Sequence, residues 1–185
     1  MIDPSNARDV ARGLLSEALP RRWAHVQGVA RQAEHVAARL GEPGTLVAAA
    51  WLHDIGYAPA VRDTGFHPLD GARYLRHLGV EEDVVCLVAH HTCALGEAVE
   101  RGLDDVLASE FAPGDPMLAD ALCFADMTTS PDGELVDAGD RLAEIQARYG
   151  PGDVVTRFID RARPEILAAV ARTRERLAAA SHQPM

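Results

Sequence analysis

Trp51-Leu52-His53-Asp54-Ile55-Gly56-Tyr57 is the stretch whose reading decides the fold. It ends an apolar run over 46–52 and sets an imidazole and a carboxylate side by side, with Gly56 closing the turn. Neither side chain is normally buried without a partner, because desolvating it unpaired costs several kcal/mol. The pair is therefore either hydrogen-bonded structure or half of a metal site.

Outward from that stretch, glycines and prolines fall at the joints and the segments between them read as helices. No run of four or more residues alternates apolar and polar in the manner of a strand. The expected helices are 7–19 with Ser5 or Asn6 as N-cap, 21–40 ended by Gly41 and Pro43, 45–54, and 68–78 stopped by Gly79. Further helices are expected at 81–91, 95–111 with a break near Gly102, 116–127, 134–148 and 153–177, with Pro164 kinking the last. The fold class is all-α, a single domain over 1–180 with a core at about 20–130 and C-terminal helices at 134–177. A disordered tail is expected at 181–185, with irregular chain from Ala178.

The 185 residues suffice for one domain with a substantial core, and 48% apolar content is ordinary for a globular protein. No run approaches the ~18 uninterrupted apolar residues of a membrane span. Asp3, Arg8 and Asp9 stand where a secretory signal would be basic and then apolar, so a cytoplasmic protein is expected. Cys86, Cys93 and Cys123 form no CxxC pair and suggest neither a disulfide framework nor a thiolate zinc site. The net charge of −10 argues against a nucleic-acid surface. All 18 basic residues are arginine, which removes Schiff-base lysine chemistry and the P-loop.

On a helix each residue turns by roughly 100°, so the direction of each histidine can be read. Val26, Val29, Ala30, Ala33, Ala37 and Leu40 share one face, with His25 at its rim and His35 nearly opposite. His67 lies on the buried side of its helix and His77 is turned away. His91 lands near the centre of the face made by Val84, Leu87 and Val88, and His90 about a quarter-turn off it. Asp126 sits on the rim of the face of Leu118, Ala121, Leu122 and Ala125. The inward set is thus His25, His53, Asp54, His67, His91 and Asp126, with His90 as a further candidate; His35, His77 and His182 read as surface. Imidazole plus carboxylate without thiolate suits one or two divalent transition ions, iron or manganese first, then zinc, cobalt or nickel. Six ligands exceed the needs of one four-coordinate zinc, and an Asp54 bridging two ions would use them all.

His25, then His53-Asp54, then Asp126 resembles the H…HD…D signature of the HD-domain superfamily of metal-dependent phosphohydrolases, over roughly residues 20–130. His67-Pro68-x-x-Gly71 and His90-His91 resemble the extra histidines of its two-metal branch, which includes HD-GYP cyclic-dinucleotide phosphodiesterases and bacterial diadenosine-tetraphosphate hydrolases. Arg22-Trp23-Ala24-His25-Val26-x-x-Val29 and His91-Thr92 resemble the latter. The resemblance implies an HD-type helical bundle with one metal at His25, His53, Asp54 and Asp126, and a second at Asp54, His67, His91 and His90. Thr92-Cys93-Ala94 stands in place of the glutamate and Gly-Tyr-Pro motif of HD-GYP proteins, which sets cyclic-dinucleotide cleavage aside. Tyr57 stands where many family phosphohydrolases carry lysine after His-Asp-x-Gly.

The expected function is hydrolysis of a nucleotide or other small phosphate ester by a metal-activated water. Asp54 would bridge and accept a proton, and Arg22, Tyr57, Arg62 and Arg73 would contact a small anionic substrate. A mixed-valent di-iron oxygenase acting on a small polar or phosphonate substrate is the alternative, and a non-catalytic metal-binding sensor domain a second. A homodimer is compatible with this size.

Overall fold

The computed structural model describes residues 3–41 and 44–181. Among the described residues ten helices follow one another: α1 (Pro4–Leu15), α2 (Pro20–Leu40), α3 (Thr45–Leu52), α4 (His67–His77), α5 (Glu82–His90), α6 (Ala94–Arg101), α7 (Asp104–Glu110), α8 (Pro116–Met127), α9 (Ala138–Tyr149) and α10 (Val154–Ala180). Short 3-10 turns lie at Ile55–Tyr57 and His91–Cys93. The described residues contain no strand, only an isolated bridge between Thr129 and Leu135.

The centre of the bundle is α3, whose residues 46–52 are all buried. A helix apolar on every side has no solvent face to offer, so it must be surrounded. Here α1, α2, α5 and α8 surround it. Its apolar run ends in the middle of the protein, which is where it releases His53 and Asp54. The helix stops at Leu52, two residues earlier than the spacing predicts, and Asp54 already has φ −105° and ψ 5°.

Two close approaches hold the neighbouring elements against that pair. A Cβ on Gly56 would lie 2.0 Å from the His67 carbonyl oxygen and 2.8 Å from the Gly71 nitrogen. The first turn of α4, carrying His67, can reach Asp54 only because residue 56 has no side chain. On the other side, a Cβ on Gly28 of α2 would lie 2.6 Å from both the Gly133 oxygen and Thr129 Cγ2. Gly133 has φ +83°, a left-handed conformation that glycine adopts without strain. This contact seats the turn after α8 on α2, beside His25.

Elsewhere local chemistry moves the boundaries. Asp3 caps α1, accepting hydrogen bonds from the Ser5 and Asn6 amides, where Ser5 or Asn6 was the expected cap. With Pro4 already at the first helical position, the helix starts three residues earlier than expected. The 95–111 segment divides at Gly102 (φ +66°) into α6 and α7, as its break suggested. The helix expected from residue 134 begins only at Ala138. Its first residues pair back instead: Ser130 N–H donates to the Glu134 carbonyl and Val136 N–H to that of Thr128. α10 runs through Pro164 to Ala180, so 178–180 are helical and Ser181 caps them. Pro43, His182 and the rest of the expected tail from 182 lie outside the described residues.

Gly56→Ala should therefore damage the junction of α3 and α4. Overpacking of this kind costs about 1–3 kcal/mol, which should appear as a fall in melting temperature by circular dichroism. An unchanged melting temperature would show that the turn yields freely.

Candidate metal centre

Four histidines and two aspartates from different elements converge below the surface. His25 comes from α2, His53 and Asp54 from the end of α3, and His67 from the first turn of α4. His91 opens the 3-10 turn after α5, and Asp126 lies in the last turn of α8. All are buried except His67, whose side chain is 12% exposed.

Three of the imidazoles are oriented by main-chain carbonyls. Nδ1–H donates to Ser130 O from His25 (3.0 Å), to Ala50 O from His53 (2.8 Å) and to Val88 O from His91 (2.7 Å). With the proton fixed on Nδ1, each Nε2 offers a lone pair to the centre, the usual arrangement behind a metal-bound histidine. His53 Nε2 is buried with no hydrogen-bond partner among the described residues and lies 3.4 Å from Asp54 Oδ2. His67 Nε2 and His91 Nε2 face each other at 3.1 Å. Nitrogens sharing an ion at about 2.1 Å would stand about 3.0 Å apart at right angles. His25 faces two acceptors, Ser130 O and Asp126 Oδ1 (3.1 Å), while a neutral imidazole has only one N–H. A cation resolves all three situations. The residues present thus fit a divalent metal, with two groups able to hold one: His25, His53 and Asp54, and Asp54, His67 and His91.

Asp54 belongs to both groups, with Oδ2 toward His25 and His53 and Oδ1 3.4 Å from His67. Asp126 lies against the first group through His25. Burial opposes the charge on Asp54, but Arg22 and then His53, His67 and His25 outweigh it and hold the carboxyl well below its ordinary range. For Asp126 burial likewise opposes the charge, and the neighbouring His25 and His53 rings outweigh it, holding the carboxyl below its ordinary range. Burial pushes His67 and His91 below the ordinary imidazole value, so both stay neutral and available as ligands.

Thr92 completes the arrangement, its hydroxyl donating to Asp126 Oδ2 at 2.6 Å. Thr92 (φ 48°) and Cys93 (φ 61°) are both left-handed, at about 1–3 kcal/mol each for residues with a Cβ. That strain turns the chain sharply after His91 and aims the hydroxyl inward. Residue spacing alone does not announce it.

Of the other expected site residues, Arg22 is in place, its Nη1 donating to Asp54 Oδ2 at 2.7 Å. Its guanidinium lies 3.9 Å from the centroid of Tyr57, and Tyr57 stacks on His67 at 4.0 Å. Three expectations fall away from the centre. His90 belongs to neither donor group, because Nε2 hydrogen-bonds to the Phe111 carbonyl at 2.9 Å, a quarter-turn from His91. Arg73 clasps Glu110 (Nε to Oε2, 2.8 Å), having turned about 240° past His67 at roughly 100° per residue. Arg62 is exposed and lines a separate cleft behind Tyr57 and His67. His35 and His77 are exposed, as their faces indicate.

The centre forms the floor of an open cleft with about 580 Å³ of empty space. Its far wall comes from α9 and α10, with Arg141, Arg148, Tyr149 and Phe158. The sequence reading missed this wall. The 141/145/148 spacing, which puts Arg141, Ile145 and Arg148 on one stripe of α9, was the available signal. Among the described residues no helix is long and apolar enough to cross a membrane.

The model of a family described as HD domain matches residues 22–144, more than half of the chain. No curated protein and no solved structure matches it.

Replacing His53 or Asp54 by alanine should strip metal and lower the melting temperature, since an ion bound only to the folded state stabilises it. Elemental analysis showing full metal content in both variants would remove them from the donor set. In chelator, stability should also fall as pH drops through 6.5, the ordinary histidine value. Below it the unfolded chain takes up protons that buried His67 and His91 refuse in the folded state, so acid favours unfolding. A melting temperature flat from pH 7 to 5 would contradict that.

Proposed function

The chain belongs to the HD-domain family, and on that premise we propose that it is a metal-dependent phosphohydrolase acting on a nucleotide or another small phosphate ester. One observation carries the reading: Asp54 is shared by two donor groups at the floor of a cleft, with an arginine on the same carboxylate. The resemblance of residues 22–29 and His91-Thr92 to bacterial diadenosine-tetraphosphate hydrolases makes dinucleoside polyphosphates the first substrates to try. Iron or manganese is the first expectation, and zinc, cobalt or nickel is also compatible with the donors.

His25, His53, Asp54 and Asp126 would hold one ion, and Asp54, His67 and His91 a second. Bound there, such ions supply Lewis-acid activation of water and neutralise phosphate charge. The chain's own residues do the rest. Carbonyls of Ala50, Val88 and Ser130 lock three rings with Nε2 inward, so the donors need no reorganisation. Arg22 keeps Asp54 ionised and presents further N–H donors to an anion entering the cleft. A carboxylate held this far below its ordinary range is a weak base, which suits Asp54 to holding a cation more than to taking up a proton. Tyr57 stays protonated, since burial raises its phenol well above the ordinary value. Stacked on His67, it offers a neutral contact where a lysine would bring charge.

The test pairs phosphate release with oxygen uptake in the metal-loaded protein, over nucleotides, dinucleoside polyphosphates and simple phosphate esters. Phosphate or nucleotide release without oxygen uptake is the expected result. Asp54→Asn should lower turnover by more than about a hundredfold, since losing even a supporting partner costs 10–100-fold. Substrate loss coupled to oxygen uptake would replace the reading with the di-iron oxygenase. Tight ligand binding with full metal and no turnover would leave a sensor domain.

A further inference from the structure

A second cleft with about 650 Å³ of empty space adjoins the first, walled by the turn between α1 and α2 and by Pro131. Arg22, His25, Arg141 and Arg148 line both, so the two clefts share a wall rich in guanidinium. Arg141 is the unusual member. It is 5% exposed, its Nη1 pairs with Glu144, and its buried Nε has no hydrogen-bond partner among the described residues.

Other arginines show what that edge does when satisfied. Arg21, Arg73 and Arg172 each clasp a carboxylate with Nε and Nη2 together, on Asp132, Glu110 and Asp120. In Arg141 the Nε edge has no such carboxylate. Charge points the same way, because Glu144 serves both Arg141 and, at 3.6 Å, Arg148. Two guanidiniums therefore lean on one carboxylate. Arg22 and Arg21, by contrast, have Asp54 and Asp132. A buried cation with an unused donor on a cleft wall is matched by an anion presenting two oxygens, and phosphate does so in the geometry of the fork.

We propose that Arg141 is a substrate-binding residue, its guanidinium taking a phosphate group other than the one held over the metal donors. The proposal rests on the phosphohydrolase reading and narrows it to substrates carrying a second phosphate. Arg148, on the same stripe of α9, adds charge to the subsite. Glu144 competes with the ligand for Arg141.

The experiment is calorimetric titration of the full-length, metal-loaded protein with orthophosphate and with non-hydrolysable imidodiphosphate. The parent should prefer imidodiphosphate by about tenfold or more, the worth of one charge-assisted contact. Arg141→Lys, which keeps the charge and loses the fork, should cut that preference to about twofold with orthophosphate affinity and metal content unchanged. Glu144→Gln, at a half-exposed position, should strengthen imidodiphosphate binding and keeps the test open if the Arg141 variant folds poorly. Equal preference in parent and Arg141→Lys, or no change in Glu144→Gln, overturns the proposal. Turnover is not read, so the outcomes separate: a protein that hydrolyses phosphate esters but shows no Arg141 dependence keeps the function and loses this subsite. One that hydrolyses nothing but shows the dependence keeps the subsite alone.

Discussion

Two carboxylates, Asp54 and Asp126, are buried at one point of this protein beside a single guanidinium, that of Arg22. The four imidazoles around them supply lone pairs more readily than protons, because three have committed Nδ1–H to main-chain carbonyls. Unpaired buried charge is among the most expensive arrangements a fold can hold, and Arg22 alone leaves the centre one positive charge short. The same groups that make the site costly without a cation make it strong with one. The rest of the structure can be understood as what is needed to keep six such side chains together.

That need explains the central helix. Polar groups can be held deep in a bundle only if something carries them there, and α3 does so by being apolar on every side through its last turn. Backbone must then approach backbone closely enough for side chains of ordinary length to meet. Gly56 lets α4 come against the turn, and Gly28 with Gly133 lets the hairpin after α8 come against α2. The left-handed Thr92 and Cys93 do the corresponding work after α5, at the expense of strain. Each contact serves a donor, His67, then His25 with Asp126, then His91.

Much of this was legible in the sequence because helical periodicity is an angular measure. Knowing which way a helix faces is enough to say that His25, His67, His91 and Asp126 turn inward and that His35 and His77 do not. Periodicity fails where the chain leaves the helix. His90 and His91 differ by a quarter-turn at the end of α5, too little for spacing to exclude His90, and the observed turn sends it to Phe111 and His91 to the centre. Arg73 and Arg62 were candidates on charge alone: Arg73 is turned away from His67 within α4 and has Glu110, and Arg62 lies in the loop before that helix. The cap of α1 and the late start of α9 turned on single side-chain and main-chain hydrogen bonds, which a pattern of apolar spacing does not encode.

The metal donors and the cleft wall also differ in where they lie along the chain. Every donor falls inside residues 22–144, the part that matches the HD-domain family. The wall facing them is drawn largely from beyond it, with Arg148 and Tyr149 at the end of α9 and Val155, Phe158 and Ile159 from α10. A metal centre and a water are common to many hydrolytic reactions, so they discriminate poorly among phosphate esters. Discrimination comes from side chains that meet the parts of the substrate that do not react. In this protein the side chains of that wall are mounted on two helices held to the core by α8 and α2, and arginine stands there beside tyrosine and phenylalanine.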